Sequence, residues 1–136
     1  MRVVIDTNVL LVSISSKSKY YWLFKSILNE QVQVLVTNDI LLEYHEILSK
    51  KLGTKVAQLV ENVLLFSNNV LKIDVFYNWS LIQNDPDDNK FVDCAVAGAA
   101  DYIISNDNHF KILDKIAFPK VQVLTIQEFL HVFENK

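Results

Sequence analysis

Glycine and proline are scarce, with two of each in 136 residues, which leaves little material for long irregular loops and argues for dense regular structure. A single cysteine cannot form an internal disulfide. The chain does not open on a charged stretch followed by an apolar core and a small-residue cleavage site, so a reducing, cytoplasmic setting is expected. No uninterrupted apolar run reaches the roughly 20 residues of a membrane span, and no membrane partner is expected. Nor is positive charge in surplus: 13 Lys and Arg against 16 Asp and Glu leave a net charge of −3, which argues against a protein that grips nucleic acid by its phosphates alone. Two local basic patches, Lys17/Lys19/Lys25 and Lys50/Lys51/Lys55, read as ordinary solvated faces. There is no internal repeat, low-complexity tract or linker, and the length fits one domain, 1–136, large enough to bury a core.

What is present is organised around MRVVIDTNVL at the start. Val3-Val4-Ile5 is a short β-branched run of the kind that forms a fully buried parallel strand, and Asp6 stands at its carboxyl end, where open α/β sheets place ligands. Thr7 to Ser15 and Tyr20 to Glu30 read as helices, and Val32 to Val36 as the second strand. Thr37 or Asn38 caps a helix from Asp39 to about Lys51 that Gly53 ends, and Thr54 opens another through Phe66. Val70 to Val75 is expected as a third strand, whereas Phe76 to Gln83 is ambiguous between strand, turn and helix. The run Asn84-Asp85-Pro86-Asp87-Asp88-Asn89 is the strongest helix-start signal, with Asp85 as cap and Pro86 at the first helical position. That helix runs to about Ala99. Tyr102 to Ile104, a short helix holding Phe110, Ile112 and Leu113, the strand Val121 to Leu124, and a final helix capped by Thr125 complete the chain. The alternation predicts an α/β fold: a central parallel sheet with right-handed crossovers and helices on both faces.

Four acids then call for a joint explanation. In a parallel sheet every strand ends on the same edge, so Asp6 and Asp107 face one crevice if their strands are neighbours, and the helix entering from that edge brings Asp88 there. Glu43 has Ile40 and Ile47 three and four positions away on its helix, whereas Glu46 has Leu42 and Lys50, so Glu43 lies nearer the buried face. Taken singly, Asp6, Asp88 and Asp107 are explained as helix caps and Glu43 as a half-exposed helix residue. Taken together, clustered carboxylates are costly to bury unless a cation joins them, and oxygen-only ligation suits Mg²⁺ or Mn²⁺. Asp93, five residues past Asp88, either reaches the site or faces solvent. Cys94 reads as a small core residue; His109, two residues past Asp107, is placed to touch a substrate but reads first as a surface histidine.

These residues resemble the PIN domain nucleases, and among them the toxin components of bacterial toxin–antitoxin systems. The resemblance covers essentially the whole chain. It is carried by Val4-Ile5-Asp6-Thr7-Asn8-Val9, by Glu43, by Asp85-Pro86-Asp87-Asp88-Asn89-Lys90-Phe91 and by Ala100-Asp101-Tyr102-Ile103-Ile104-Ser105-Asn106-Asp107, in that order and spacing. It implies a single PIN-like domain acting as a metal-dependent endoribonuclease in which Asp6, Glu43, Asp88 and Asp107 hold Mg²⁺ or Mn²⁺. Asn8 and Ser105 match supporting polar positions, Ser105 standing where the family usually has threonine. Asp85, Asp87 and Asp93 compete with Asp88 for the third acidic position, and Asp88 fits best by its distance from Asp107. Implied partners are an RNA substrate, an antitoxin protein and, as an oligomer, a homodimer. The competing reading is a catalytically idle PIN-like module that binds RNA or protein. A phosphatase with Asp6 as nucleophile is disfavoured, because Asn8 stands where such enzymes commonly carry a second aspartate.

Overall fold

A computed structural model of the chain describes residues 1–83 and 85–136. Its strands are β1 (Arg2–Ile5), β2 (Gln33–Val36), β3 (Val70–Lys72), β4 (Tyr102–Ile104) and β5 (Val123–Leu124). They pair in parallel in the order β3-β2-β1-β4-β5. The apolar run at the start therefore becomes the central strand, with Val3, Val4 and Ile5 essentially inaccessible to solvent. The helices are α1 (Thr7–Ser13), α2 (Tyr21–Leu28), α3 (Asn38–Leu52), α4 (Thr54–Phe66), α5 (Asn89–Ala97) and α6 (Ile126–Glu134), with 3₁₀ segments at Pro86–Asp88 and Asn108–Lys115. None is long and apolar enough to cross a membrane.

The strand order reverses between β1 and β4, the place where open α/β sheets leave a crevice at their carboxyl ends. Ile5 is level with Ile104, and the Asp6 N–H donates to the Ile104 carbonyl at 3.0 Å. The next residue of each strand, Asp6 and Ser105, is thereby set side by side. Two local devices fix the helices that reach this edge. The Thr37 hydroxyl accepts the Ile40 N–H and starts α3, while Gly53 at φ 95° turns the chain from α3 into α4. The buried Tyr44 hydroxyl donates to the carbonyl of Ile5, tying α3 to the end of β1. Gly98, just past α5, lets that helix sit close on β2, since a Cβ there would stand 2.6 Å from the Leu35 side chain.

Several expectations are corrected. β3 stops at Lys72 rather than Val75, and from Ile73 to Gln83 the chain crosses the sheet edge without regular structure. The last strand is Val123–Leu124 rather than four residues. The short helix after Asp107 is 3₁₀. Asp85 occupies the cap position before Pro86, but its side chain makes no capping bond. Asn84, which begins that expected signal, lies outside the described residues.

Candidate active site

Asp6 is 6% exposed and stands at the cap position of α1 without making a side-chain capping bond. Its Oδ2 instead accepts the Ser105 hydroxyl at 2.7 Å. The same hydroxyl oxygen accepts the Asp107 N–H at 3.0 Å, so one side chain brackets both acids. Asp107 does act as a cap: its Oδ1 accepts the His109 N–H at 2.9 Å. Asp88, at the cap position of α5, makes no capping bond. Capping therefore accounts for one of the three aspartates and leaves Asp6 and Asp88 without that explanation.

Glu43 reaches the crevice from α3. Its Oε2 accepts the Thr7 hydroxyl, and its Oε1 pairs with the Lys90 ammonium at 2.7 Å. On the other side, His109 Nδ1 lies 3.3 Å from Asp107 Oδ1, 3.5 Å from Asp88 Oδ2 and 3.6 Å from Asp85 Oδ2. A continuous chain of contacts thus links Glu43, Thr7, Asp6, Ser105, Asp107, His109 and Asp88. A depression of about 290 Å³ opens among Asp6, Asn8, Asn106 and Asp107, with Val12 and Tyr20 on its wall. Asn8 is exposed there.

The electrostatics follow from this crowding. Burial raises the Asp6 carboxyl above the ordinary range, and the charges of Asp107 and Glu43 add to the rise, while the Ser105 bond and the nearby Thr7 N–H oppose it. Asp88 is pushed up to about 6, by burial first and then by Asp85, Asp6 and Asp107, with His109 opposing the rise. Its Oδ2 is buried, and among the described residues nothing reaches it with good hydrogen-bond geometry; the His109 contact at 3.5 Å is long for a hydrogen bond. An orphaned carboxylate oxygen among acids is a position that a cation would relieve. One ligand atom each from Asp85, Asp88 and His109 already lie within 4.8 Å of one another. The donor set fits Mg²⁺ or Mn²⁺ by its carboxylates, with an imidazole beside them.

A family profile described as a PIN domain matches residues 2–109. The chain belongs to the PIN domain family. No curated protein matches it, but solved structures do. VapBC2 from Rickettsia felis, bound to promoter DNA, superposes with a TM-score of 0.64 at 17% identity, over 92% of this chain and 98% of that one. VapC20 from Mycobacterium tuberculosis, a toxin that cleaves the sarcin–ricin loop, gives 0.61 at 13% identity over 80% and 92%. The PIN domain endonuclease Utp24 gives 0.53 at 14% over 91% and 84%. At these identities the likeness is one of fold, and the α/β architecture expected of a PIN domain is the one observed.

The structure joins Asp6, Glu43, Asp88 and Asp107 with Ser105 and Asn8 at one edge of this PIN domain. Asp85 approaches through His109. Asp93 neither lines the Asp6–Asp107 depression nor faces solvent: it is 5% exposed, and its Oδ1 accepts the Trp79 N–H at 3.0 Å. Cys94 is buried in the core, and burial pushes its thiol up to about 12. His109 is exposed, as a surface histidine should be, and its Nδ1 also lies within 3.6 Å of three aspartates. Thr7 and Lys90 went unassigned in the sequence. Both sit inside motif segments, and a hydroxyl directly after Asp6 and a lysine two past Asp88 were the available signals.

Proposed function

We propose that this PIN domain is a metal-dependent endoribonuclease and the toxin of a toxin–antitoxin pair, working in the cytoplasm. Asp6, Glu43, Asp88 and Asp107 are the carboxylates that would hold Mg²⁺ or Mn²⁺. The observation that carries the reading is the buried Oδ2 of Asp88, which makes no hydrogen bond among the described residues and has only the long His109 contact beside it, on a carboxyl raised first by burial and then by the charges of Asp85, Asp6 and Asp107. A divalent ion held there would supply Lewis acidity and an activated water for in-line phosphodiester hydrolysis, and the resemblance to PIN domain nucleases implies a 5′-phosphate and a 3′-hydroxyl as products. The chain's own residues do the positioning. Ser105 fixes the Asp6 carboxylate and the Asp107 backbone with one hydroxyl, and Thr7 orients Glu43. His109 places Nδ1 within 3.6 Å of carboxylate oxygens of Asp85, Asp88 and Asp107. The likeness to VapBC2 and to the sarcin–ricin loop cleaving toxin VapC20 supports RNA as substrate and an antitoxin as partner.

Incubation of purified protein with total cellular RNA and Mn²⁺ tests this. Cleavage is expected that chelator abolishes, that Asp6→Asn and Asp107→Asn each reduce by more than about 100-fold, and that Cys94→Ala leaves intact. One observation favours the alternative of an idle binding module: Lys90 already neutralises Glu43. Absence of cutting by the metal-loaded protein at every concentration would make that module the better reading.

A further inference from the structure

We propose that Tyr77, Trp79 and Phe118 form a stacking platform for the bases of single-stranded RNA next to the acid ring, with Lys115 and Lys120 placed for its phosphates. The rings form a continuous set: Tyr77 and Trp79 meet edge to face at 4.7 Å, and Trp79 and Phe118 at 5.8 Å. They are not a core. Tyr77 is 65% and Phe118 80% exposed, and the adjoining Phe76 is 93% exposed, a concentration of aromatic surface that a soluble domain does not carry without use.

The platform is bound to the candidate site through α5. The Asn89 amide grips Ile82 by both its N–H and its carbonyl, at 2.8 and 2.9 Å, and the Asp93 carboxylate holds the Trp79 N–H. The irregular segment before Asp85 is thus pinned along the helix that begins beside Asp88. Asn89 and Asp93 are four residues apart, about 6 Å along the axis, so the backbone of the aromatic segment runs along the first turns of the helix that begins beside Asp88. Phe76 and Asn78, on either side of Tyr77 in the chain, share one depression of about 490 Å³ with Lys90 and Asp93, which brings the aromatic segment alongside the lysine that pairs with Glu43.

Chemistry selects the occupant. The net charge is −3, and the crevice is lined by acids, so phosphate contacts at the site cannot supply affinity. Base stacking can, because every base has a π-face and the contact needs no positive field. Phe118 is flanked by exposed Lys115 and Lys120, an interleaving of aromatic and basic side chains that suits a single strand and offers nothing to a duplex, whose bases are already stacked. The inference rests on the nuclease reading only for why RNA arrives here; platform binding itself needs neither metal nor catalysis.

The test is fluorescence anisotropy with a labelled 12-nucleotide oligouridine, in chelator so that no cutting intervenes, with an RNA duplex and a DNA strand of equal length as comparisons. Tyr77→Ala and Phe118→Ala are each expected to weaken single-strand binding by about tenfold. Phe118→Trp restores it, Phe118→Leu does not, and the DNA strand shows the same dependence. In a Trp22→Phe background, Trp79 emission is expected to be quenched by the oligonucleotide. Equal binding by the alanine variants, rescue by leucine, tighter binding of the duplex, or no binding by the parent protein would each overturn the platform. Platform-dependent binding without Mn²⁺-dependent cutting would support the platform and count against the nuclease reading, whereas cutting with unchanged binding in the variants would do the reverse.

Discussion

On the α3 side of the crevice, the Glu43 carboxylate meets the Thr7 hydroxyl and the Lys90 ammonium. On the β1–β4 side, Asp6, Asp88 and Asp107 meet a hydroxyl, an amide and an imidazole, and among the described residues no lysine or arginine pairs with them. The protonation of Asp6 and Asp88 is shifted upward there. Acids on one sheet edge thus occur in two settings, one paired with an ammonium of the chain and one that meets only neutral donors and an imidazole. The difference teaches that acid clustering alone does not mark a cation site; the informative feature is a carboxylate whose compensation is missing. On the proposed function, the aspartate side is where a divalent ion is expected to gain most, and Lys90 is a competitor for Glu43.

The largest effect should come from removing an acid on the uncompensated side. Saturating Mn²⁺ is expected to raise the melting temperature of the parent protein by about 10 °C, from roughly 3 kcal/mol of linkage at a hundredfold excess over Kd. Asp6→Asn should lose most of that rise while melting no lower than the parent without metal, since it also removes a repulsive charge. An unchanged metal response in this variant would mean that ions bind elsewhere and that the contrast between the two sides is immaterial to binding.

Next in size is the bracket. Ser105→Ala deletes the donor to Asp6 and the acceptor for the Asp107 N–H together, and a loss of about 10–100-fold in metal affinity is expected, measured by calorimetry. Ser105→Thr keeps the hydroxyl and should restore it. Failure of the rescue would show that the buried site tolerates only the smaller side chain and that the bracket is a matter of packing.

The two sides also differ in how far the sequence discloses them. Asp6 is legible because a buried parallel strand must end somewhere, and an acid at that end has few places to go. The capping box at Thr125 and Glu128, the Thr37 cap and the Gly53 turn are legible because each depends on residues within four positions. The Lys90–Glu43 pair joins residues 47 apart, and no local pattern encodes it. Asp85 has the sequence of a cap because Asp-Pro is the usual chemistry of a helix start, yet its side chain makes no capping bond and one carboxylate oxygen lies 3.6 Å from His109, a residue that only the tertiary fold brings near. Ile73 and Val75 continue the apolar alternation of β3, but after one last bond from the Ile73 N–H to the Val36 carbonyl at 2.7 Å the chain leaves the ladder, and nothing in the alternation marks that point. The aromatic segment was unreadable for a related reason: Tyr77 and Trp79 suit a strand, yet tertiary bonds to Asn89 and Asp93 hold them in irregular backbone.

A moderate effect is expected from Lys90→Met, which keeps the apolar stem and deletes the charge. Without metal, Glu43 then loses its partner in a half-buried setting, a cost of about 1 kcal/mol. With metal, the ion no longer competes with an ammonium for Glu43, so the rise in melting temperature on Mn²⁺ should exceed that of the parent. A smaller rise would reverse the interpretation: Lys90 would be holding Glu43 in its binding position rather than standing in for the ion.

The smallest effect is the pH dependence of the metal-free protein, and its sign follows from the uncompensated side. The folded Asp88 carboxyl titrates near 6, whereas an unfolded aspartate titrates near 3.8, so between these values the folded state holds a proton that the unfolded chain has released. Stability should therefore increase as pH falls from about 6 towards 4, and above 6 the full repulsive cost is present. Asp6 is shifted in the same direction and adds to the trend. In chelator, the parent should melt a few degrees higher at pH 5 than at pH 7, on the order of what a change of about 1 kcal/mol produces. Asp88→Asn should flatten only part of that slope, because Asp6 remains. His109 stands among the same carboxylates, so the comparison is made again with His109→Gln in both proteins. If the slope vanishes with His109→Gln and persists in Asp88→Asn, the imidazole and not the aspartate sets the charge balance of that side, and the crevice divides at His109 rather than between α3 and the β1–β4 edge.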